Sequence, residues 1–180
     1  MPNIKIKNKE FELFIPYNTI QEGVFKIASK LNIDYENKTP VIIGVLNGSF
    51  VFMADLVKEL NFNCIVSFIK VSSYNKTEST GKITNLIGLA EDIKDKDVII
   101  VEDIVDTGGT INNLKNSLLD KLPKSISVAT LFFKPEAFLY KTDPEYYVFD
   151  IPDYFIVGYG LDYDKYGRNL KDVYKLKSKN

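Results

Sequence analysis

The segment Val98 to Thr110, VIIVEDIVDTGGT, constrains this chain more tightly than any other stretch. Val98, Ile99, Ile100 and Val101 form an uninterrupted β-branched run, the pattern of a strand buried on both faces of a parallel sheet. Three carboxylates, Glu102, Asp103 and Asp106, follow at once, and Thr107, Gly108, Gly109 and Thr110 then open a helix. Acidic groups at the carboxyl end of a buried strand, followed by a turn of small residues, sit where open α/β sheets bind their ligands. Free backbone N–H groups and hydroxyls at a helix start suit a phosphate. The carboxylates suit sugar hydroxyls, a metal ion or a proton in transit. Together they point to a phosphorylated sugar.

What surrounds this segment limits the chemistry. The 180 residues are 45% hydrophobic, enough for one good core, and a single domain over residues 1–180 is expected. A net charge of −1 gives no reason to expect nucleic acid or an anionic membrane as partner. MPNIKIKNKE lacks the apolar run of a secretion signal, and no segment is long enough to span a bilayer. The lone cysteine, Cys64, lies in an apolar run and reads as core packing, which fits a cytoplasmic protein. There is no histidine. Ser-His-Asp and Cys-His catalysis are therefore excluded, as are the common His-bearing zinc sites. Proton transfer near neutral pH falls to carboxylate, lysine, tyrosine or the substrate itself.

Along the chain, helical and strand patterns alternate without repeats or a low-complexity linker. Thr19 and Glu22 have capping-box spacing before an apolar stripe of Ile20, Val24, Ile27, Ala28 and Leu31. Val41 to Leu46 reads as a buried strand, Asn47-Gly48-Ser49 as a sharp turn, and Phe50, Met53, Val57 and Leu60 as one helix face. Cys64 to Val71 is β-rich, Ser72 to Lys82 is polar, and Ile83 to Gly88 is a further strand candidate. After the Val98 strand comes a helix carrying Ile111, Leu114, Leu118 and Leu122, then strands at Ile126 to Phe133 and Phe155 to Gly158. Such alternation predicts an α/β fold with a mostly parallel, twisted sheet flanked by helices. The turns at Asn47 and Glu102 would share one rim of that sheet.

The plainer reading of the acidic turn is that Asp106 or Thr107 caps the following helix. Three acids and two glycines exceed what a cap needs. No G-x-G-x-x-G follows a first strand, and Gly81-Lys82 lacks both the upstream glycine and the Ser or Thr of a Walker A loop.

VIIVEDIVDTGGT resembles the phosphoribosyl-diphosphate (PRPP) signature of type I phosphoribosyltransferases, and its VEDIVDTG form is similar to the hypoxanthine-guanine branch. Four more segments match in order and at compatible spacing: VLNGSFVFMADL from Val45, SSYNKTESTG from Ser72, LFFKPE from Leu131 and IPDYFIVGYGLDY from Ile151. The resemblance implies the type I phosphoribosyltransferase fold with a small hood region. It also implies roles. Glu102 and Asp103 would hold the PRPP ribose hydroxyls, directly or beside Mg²⁺. Asp106, Thr107, Gly108, Gly109 and Thr110 would cradle the 5′-phosphate, with Asp106 the catalytic base near purine N7. Leu46, Asn47 and Gly48 would grip the diphosphate, with a cis peptide expected between Leu46 and Asn47. The family commonly has Lys or Arg where this chain has Asn47.

By the same resemblance Ser73 and Tyr74 belong to a lid that excludes water. Lys134 would donate to the purine O6, Phe155 would stack on the ring and Ile156 would read the base edge through its backbone. Asp162 would bind on the purine side and help hold a second Mg²⁺ through the diphosphate, and Arg168 would touch diphosphate. The implied activity is purine salvage: PRPP plus hypoxanthine or guanine giving IMP or GMP and diphosphate. A xanthine-preferring enzyme and a non-enzymatic PRPP-binding regulator are the alternatives. The implied partners are PRPP and a 6-oxopurine base, with a homodimer or homotetramer as the assembly.

Overall fold

A computed structural model describes residues 3–72 and 84–177. A hairpin of β1 (Asn3–Ile6) and β2 (Lys9–Ile15) leads into α1 (Tyr17–Asp34). Then follow β3 (Val41–Leu46), α2 (Phe50–Lys58), β4 (Ile65–Ser72), β5 (Thr84–Ile87), β6 (Asp97–Val105), α3 (Gly109–Leu119) and β7 (Ser125–Phe133). The chain closes through β8 (Tyr146–Asp150), β9 (Ile156–Val157) and β10 (Val173–Leu176).

The main sheet has six strands in the order β5-β4-β3-β6-β7-β8. Five of them, β4 to β8 in that order, run parallel, and only β5 is antiparallel. The β-branched runs are central for a physical reason. Alternate residues are buried on opposite faces, so both sets must be apolar. Ile42, Ile99, Val101 and Leu131 pack with Val24, Ile27 and Leu31 of α1 and Phe52 and Leu56 of α2. Val41, Ile43, Val98, Ile100 and Val128 pack with Ile111, Leu114 and Leu118 of α3. Cys64 is partly buried against the first of these cores, as its apolar context predicts.

A second sheet, antiparallel and in the order β1-β2-β10-β9, has its own small core of Phe11, Val157 and Tyr174. It is the hood that the sequence resemblance implies. Its strand β2 feeds directly into α1.

Several local expectations differ from the structure. The Thr19–Glu22 capping box does not form, because α1 starts at Tyr17 with the extended Pro16 as N-cap. The Tyr17 N–H instead donates to the Asp172 carboxylate at 2.7 Å, so a side chain 155 residues away does the capping work. Helix α3 ends at Leu119, leaving Leu122 exposed at φ +55 rather than on the buried face. Strand β6 runs on to Val105, so Glu102 and Asp103 lie within the strand and not in the turn beyond it. The late strand is only Ile156–Val157, without Phe155 and Gly158.

Candidate active site

Strand order locates the site. From β3 the chain crosses through α2 to β4 on one side, and from β6 it crosses through α3 to β7 on the other. Between β3 and β6 the direction reverses, and the carboxyl ends of such a pair open a crevice. The two strands are parallel neighbours, with Val41 opposite Val98 and Gly44 opposite Val101. The Asn47 turn and the acidic segment therefore meet on one rim, as their sequence context predicts. The contact is close: a Cβ on Gly48 would overlap the Asp103 carboxylate. The peptide between Leu46 and Asn47 is cis.

Glu102 and Asp103 form the acidic floor. Asp103 is only 6% exposed, and its Oδ1 accepts the Ile104 N–H at 3.0 Å. The Glu102 Oε2 atom is sealed from solvent and has no hydrogen-bond partner. Burial pushes the Glu102 carboxyl well above the usual carboxylate range, and the adjacent Asp103 charge adds to it. Burial raises Asp103 too, against its donors and the Arg168 charge. A sealed carboxylate oxygen without a donor is a costly arrangement for the free protein. It fits a bound cation or sugar hydroxyls. Among the described residues no cluster of three His, Cys, Asp or Glu side chains could hold a metal unaided. Two carboxylates completed by substrate oxygens is the usual arrangement for Mg²⁺, so the donor set fits Mg²⁺ arriving with a phosphorylated substrate.

Beyond β6, Gly108 at φ +82 is the N-cap of α3, and no side chain caps the helix. Asp106 and Thr107 are thus not caps. The first-turn amides have no acceptor inside the helix, and Thr107 and Thr110 are exposed beside them. Gly108 is required where it stands, since a Cβ there would strike the Phe138 ring as well as strain the left-handed backbone. The result is an open anion cradle at the rim.

Asp106 points away from α3 toward Lys134. The Lys134 ammonium, on a residue only 6% exposed, lies 3.0 Å from Asp106 Oδ2 and 2.8 Å from Asp153 Oδ1. Its backbone N–H donates to the Val105 carbonyl at 3.0 Å, which ties the end of β7 to the end of β6. Burial alone would lower the lysine's pKa, but Asp153 and Asp106 outweigh it and raise it.

The segment from Phe155 to Arg168 faces the same rim from the hood. Phe155 is partly exposed, tilted against Phe11 at 6.3 Å and edge-on to Tyr163 at 5.8 Å. Ile156 is buried in β9, opposite Lys175 of β10. Arg168 pairs with Asp162 and donates to the Gly160 carbonyl at 2.6 Å. Asp162 is thus the ion-pair partner of Arg168. Gly160 packs so closely on the Gly48 carbonyl that a Cβ would overlap it. Ser73 and Tyr74, assigned to a lid from the sequence, lie outside the described residues.

Residues 16–164 match the phosphoribosyl transferase domain. The chain belongs to the phosphoribosyltransferase family. It is 38% identical over 173 residues to the hypoxanthine-guanine phosphoribosyltransferase of Streptococcus pneumoniae, covering 96% of both chains. The Streptococcus agalactiae enzyme of the same name is 43% identical over 153 residues, covering 84% of this chain and 85% of that one. Solved structures agree. A hypoxanthine-guanine phosphoribosyltransferase from Bacillus anthracis, with a HEPES molecule in its active site, superposes with a TM-score of 0.86. It is 39% identical over 93% of this chain and 97% of that one. A Staphylococcus aureus hypoxanthine phosphoribosyltransferase gives a TM-score of 0.88 at 37% identity, with 92% and 91% of the chains covered.

In this phosphoribosyltransferase the SSYNKTESTG motif lies outside the described residues but for Ser72, while the Asn47 turn, the acidic segment with Lys134 and the Phe155–Arg168 segment lie on one rim. Sequence reasoning missed two features of it. Asp153, the second partner of Lys134, sits inside the quoted IPDYF motif, yet nothing local marks it as facing Lys134. The aromatic backing of Phe155 by Phe11 comes from β2, whose alternating KEFELFI was a legible strand signal.

Proposed function

We propose that this phosphoribosyltransferase salvages 6-oxopurines, converting PRPP and hypoxanthine or guanine into IMP or GMP and diphosphate. One observation carries the reading: Lys134 and Asp106 stand 3.0 Å apart beside an uncapped helix start. In a 6-oxopurine, O6 and N7 are neighbours on one edge. An ammonium donor and a carboxylate acceptor held side by side complement that edge when N7 carries its proton. Adenine would present an amino donor to a lysine that can only donate.

The residues then divide the work. The amides and hydroxyls of Thr107 to Thr110 hold the 5′-phosphate. Glu102 and Asp103 orient the ribose, and Leu46, Asn47, Gly48 and Arg168 face the diphosphate. Mg²⁺, held by Glu102 and Asp103 with PRPP oxygens and assisted on the diphosphate side by Asp162, would neutralise charge on the leaving group. The purine N9 forms its bond to the anomeric carbon as the bond to the diphosphate oxygen breaks. Asp106 accepts the N7 proton, and Lys134 stabilises the charge at O6. Phe155, partly exposed, stacks on the ring, and the Ile156 backbone reads the base edge. No protein nucleophile is required.

Purified protein with Mg²⁺ and PRPP should convert hypoxanthine or guanine to nucleotide, and Asp106→Asn should lower kcat by about 10²–10³. Initial rates with hypoxanthine, guanine and xanthine under one condition rank the bases. Faster turnover of xanthine would identify the xanthine-preferring enzyme instead. Binding of PRPP without turnover of any base would identify a regulator and overturn the proposal. A homodimer or homotetramer and a cytoplasmic location complete it, the former open to light scattering.

A further inference from the structure

Behind the rim, outside the residues assigned above, lies a polar network at the edge of the apolar core. Tyr159 is 1% exposed, and its hydroxyl donates to Asp55 Oδ2 at 2.6 Å. Gln21 Nε2 donates to the same carboxylate oxygen at 3.0 Å and to the tyrosine oxygen at 3.2 Å. Lys58 holds the other oxygen, Asp55 Oδ1, at 2.7 Å. Burial would raise the Asp55 carboxyl, but the donors from Lys58, Tyr159 and Gln21 together hold it below its ordinary value. The network joins α1, α2 and the segment after β9.

Four details give this network a purpose beyond packing. Tyr159 sits at φ +50, a conformation that a tyrosine keeps only when its surroundings impose it. Its neighbours Gly158 and Gly160 are also at positive φ, and Gly160 is the residue pressed against the Gly48 carbonyl. Gly160 in turn exchanges backbone and side-chain hydrogen bonds with Arg168, at 3.1 and 2.6 Å. Helix α2, which carries Asp55, begins at Phe50 with Ser49 as its N-cap, immediately after the Asn47–Gly48 turn. The tyrosine hydroxyl thus bolts the Gly158–Arg168 segment to the helix that follows the Asn47–Gly48 turn.

We propose that Tyr159, through Asp55, is a positioning residue for the diphosphate half of PRPP, setting how closely the Gly158–Arg168 segment approaches the Asn47–Gly48 turn. This rests on the salvage reading. The purine side has a separate anchor, since Ile156 and Val157 are held by pairing with Lys175 and Tyr174 of β10. Loss of the bolt therefore acts on PRPP and diphosphate, and not on the base.

Steady-state kinetics of Tyr159→Phe, Asp55→Ala and Asp55→Asn test it. Losing a buried hydrogen bond to a carboxylate is equivalent to about tenfold in a binding constant. Tyr159→Phe and Asp55→Ala should each raise the PRPP KM and the diphosphate inhibition constant by about tenfold, with the purine KM within about twofold. Asp55→Asn keeps an oxygen to accept from Tyr159 and should rescue most of the loss. The double variant should be no worse than the poorer single one. A drop in Tm with both KM values unchanged, or PRPP and purine KM rising together, would overturn the proposal. If Asp55→Ala does not fold, Tyr159→Phe and Asp55→Asn give the same contrast. Should the wild type turn over no base, the salvage reading fails separately. Calorimetry with Mg²⁺ and diphosphate on wild type and Tyr159→Phe then decides this one, an equal affinity overturning it.

Discussion

At the scale of single residues, the site depends on side chains held where the free protein gains little from them. Lys134 is the clearest case. Its ammonium is nearly buried, while the side chains of its partners Asp106 and Asp153 are 48% and 71% exposed. Removing the lysine charge leaves two carboxylates that water can solvate, so the stability cost is small. On the salvage reading its effect on base binding is not small, because the O6 acceptor would lose a charged donor. Lys134→Gln is therefore expected to raise the hypoxanthine KM by about tenfold or more while moving Tm by a few degrees at most. A PRPP KM that rises in parallel would place Lys134 elsewhere in the reaction. Gly48 is the opposite case, a residue that matters for what it lacks. A methyl group there would overlap the Asp103 carboxylate, so the turn or the acid must shift. Gly48→Ala should weaken PRPP by about tenfold with the purine KM unchanged, measured with both substrates varied.

At the scale of elements, β6 carries the greatest load, since it is central in the sheet and bears the acidic floor near its end. Its first residue, Asp97, pairs in register with Ser125 of β7, accepts from the Ser125 hydroxyl at 2.6 Å and lies 3.4 Å from Lys124. Burial pushes the Asp97 carboxyl up, but the Ser125 donor and the Lys124 charge prevail and hold it below its ordinary value. A carboxylate depressed on folding stabilises the protein above its unfolded pKa, and that contribution is lost as pH falls through the folded value. Asp97→Asn should cost about 1 kcal/mol at pH 7, and the difference from wild type should vanish at pH values below the aspartate range. Denaturant titrations at a neutral and an acidic pH check this, and an equal difference at both would remove the charge from the account. The same strand shows what was legible from sequence. VIIV could be placed because a strand buried on both faces must be apolar throughout. Its end could not, because Glu102 and Asp103 are polar and yet stay in the strand, where Asp103 accepts the Ile104 N–H and packs against the Gly48 turn. Likewise α1 starts at Tyr17 through an acceptor at Asp172, which no local window contains. Of the hood strands only β9 was read from the sequence; β1 and β2 were overlooked although KIKNKEFELFI alternates at the strand period around Lys7-Asn8.

At the scale of the whole molecule, the site is a joint where the two sheets meet. The main sheet contributes the Asn47 turn, the acidic floor and the anion cradle. The strand β9 side of the hood contributes Phe155, Asp162 and Arg168. In the free protein the two share apolar packing, with Ile15, Ile156 and Val173 of the hood in the main-sheet core, and specific contacts add to it: Tyr17 to Asp172, Tyr159 to Asp55, and Gly160 against Gly48. A ligand that spans the joint should therefore stabilise both sides together. Neither half of that ligand should suffice. The Glu102–Asp103 pair lacks the ligands to hold Mg²⁺ unaided, and PRPP without a cation would bring its charge to two buried carboxylates. With Mg²⁺ and PRPP together at about 100 times the dissociation constant, linkage gives about 2.7 kcal/mol of stabilisation. For a chain of this size that is a rise of about 5–10 °C in Tm. Mg²⁺ alone or PRPP alone should give a small fraction of it. Hydrogen exchange should slow in the same experiment at Asp106–Thr110 and at Gly158–Arg168 alike. A full shift with Mg²⁺ alone would mean the protein supplies a complete metal site. Protection confined to the main sheet would mean the hood segment takes no part in holding PRPP.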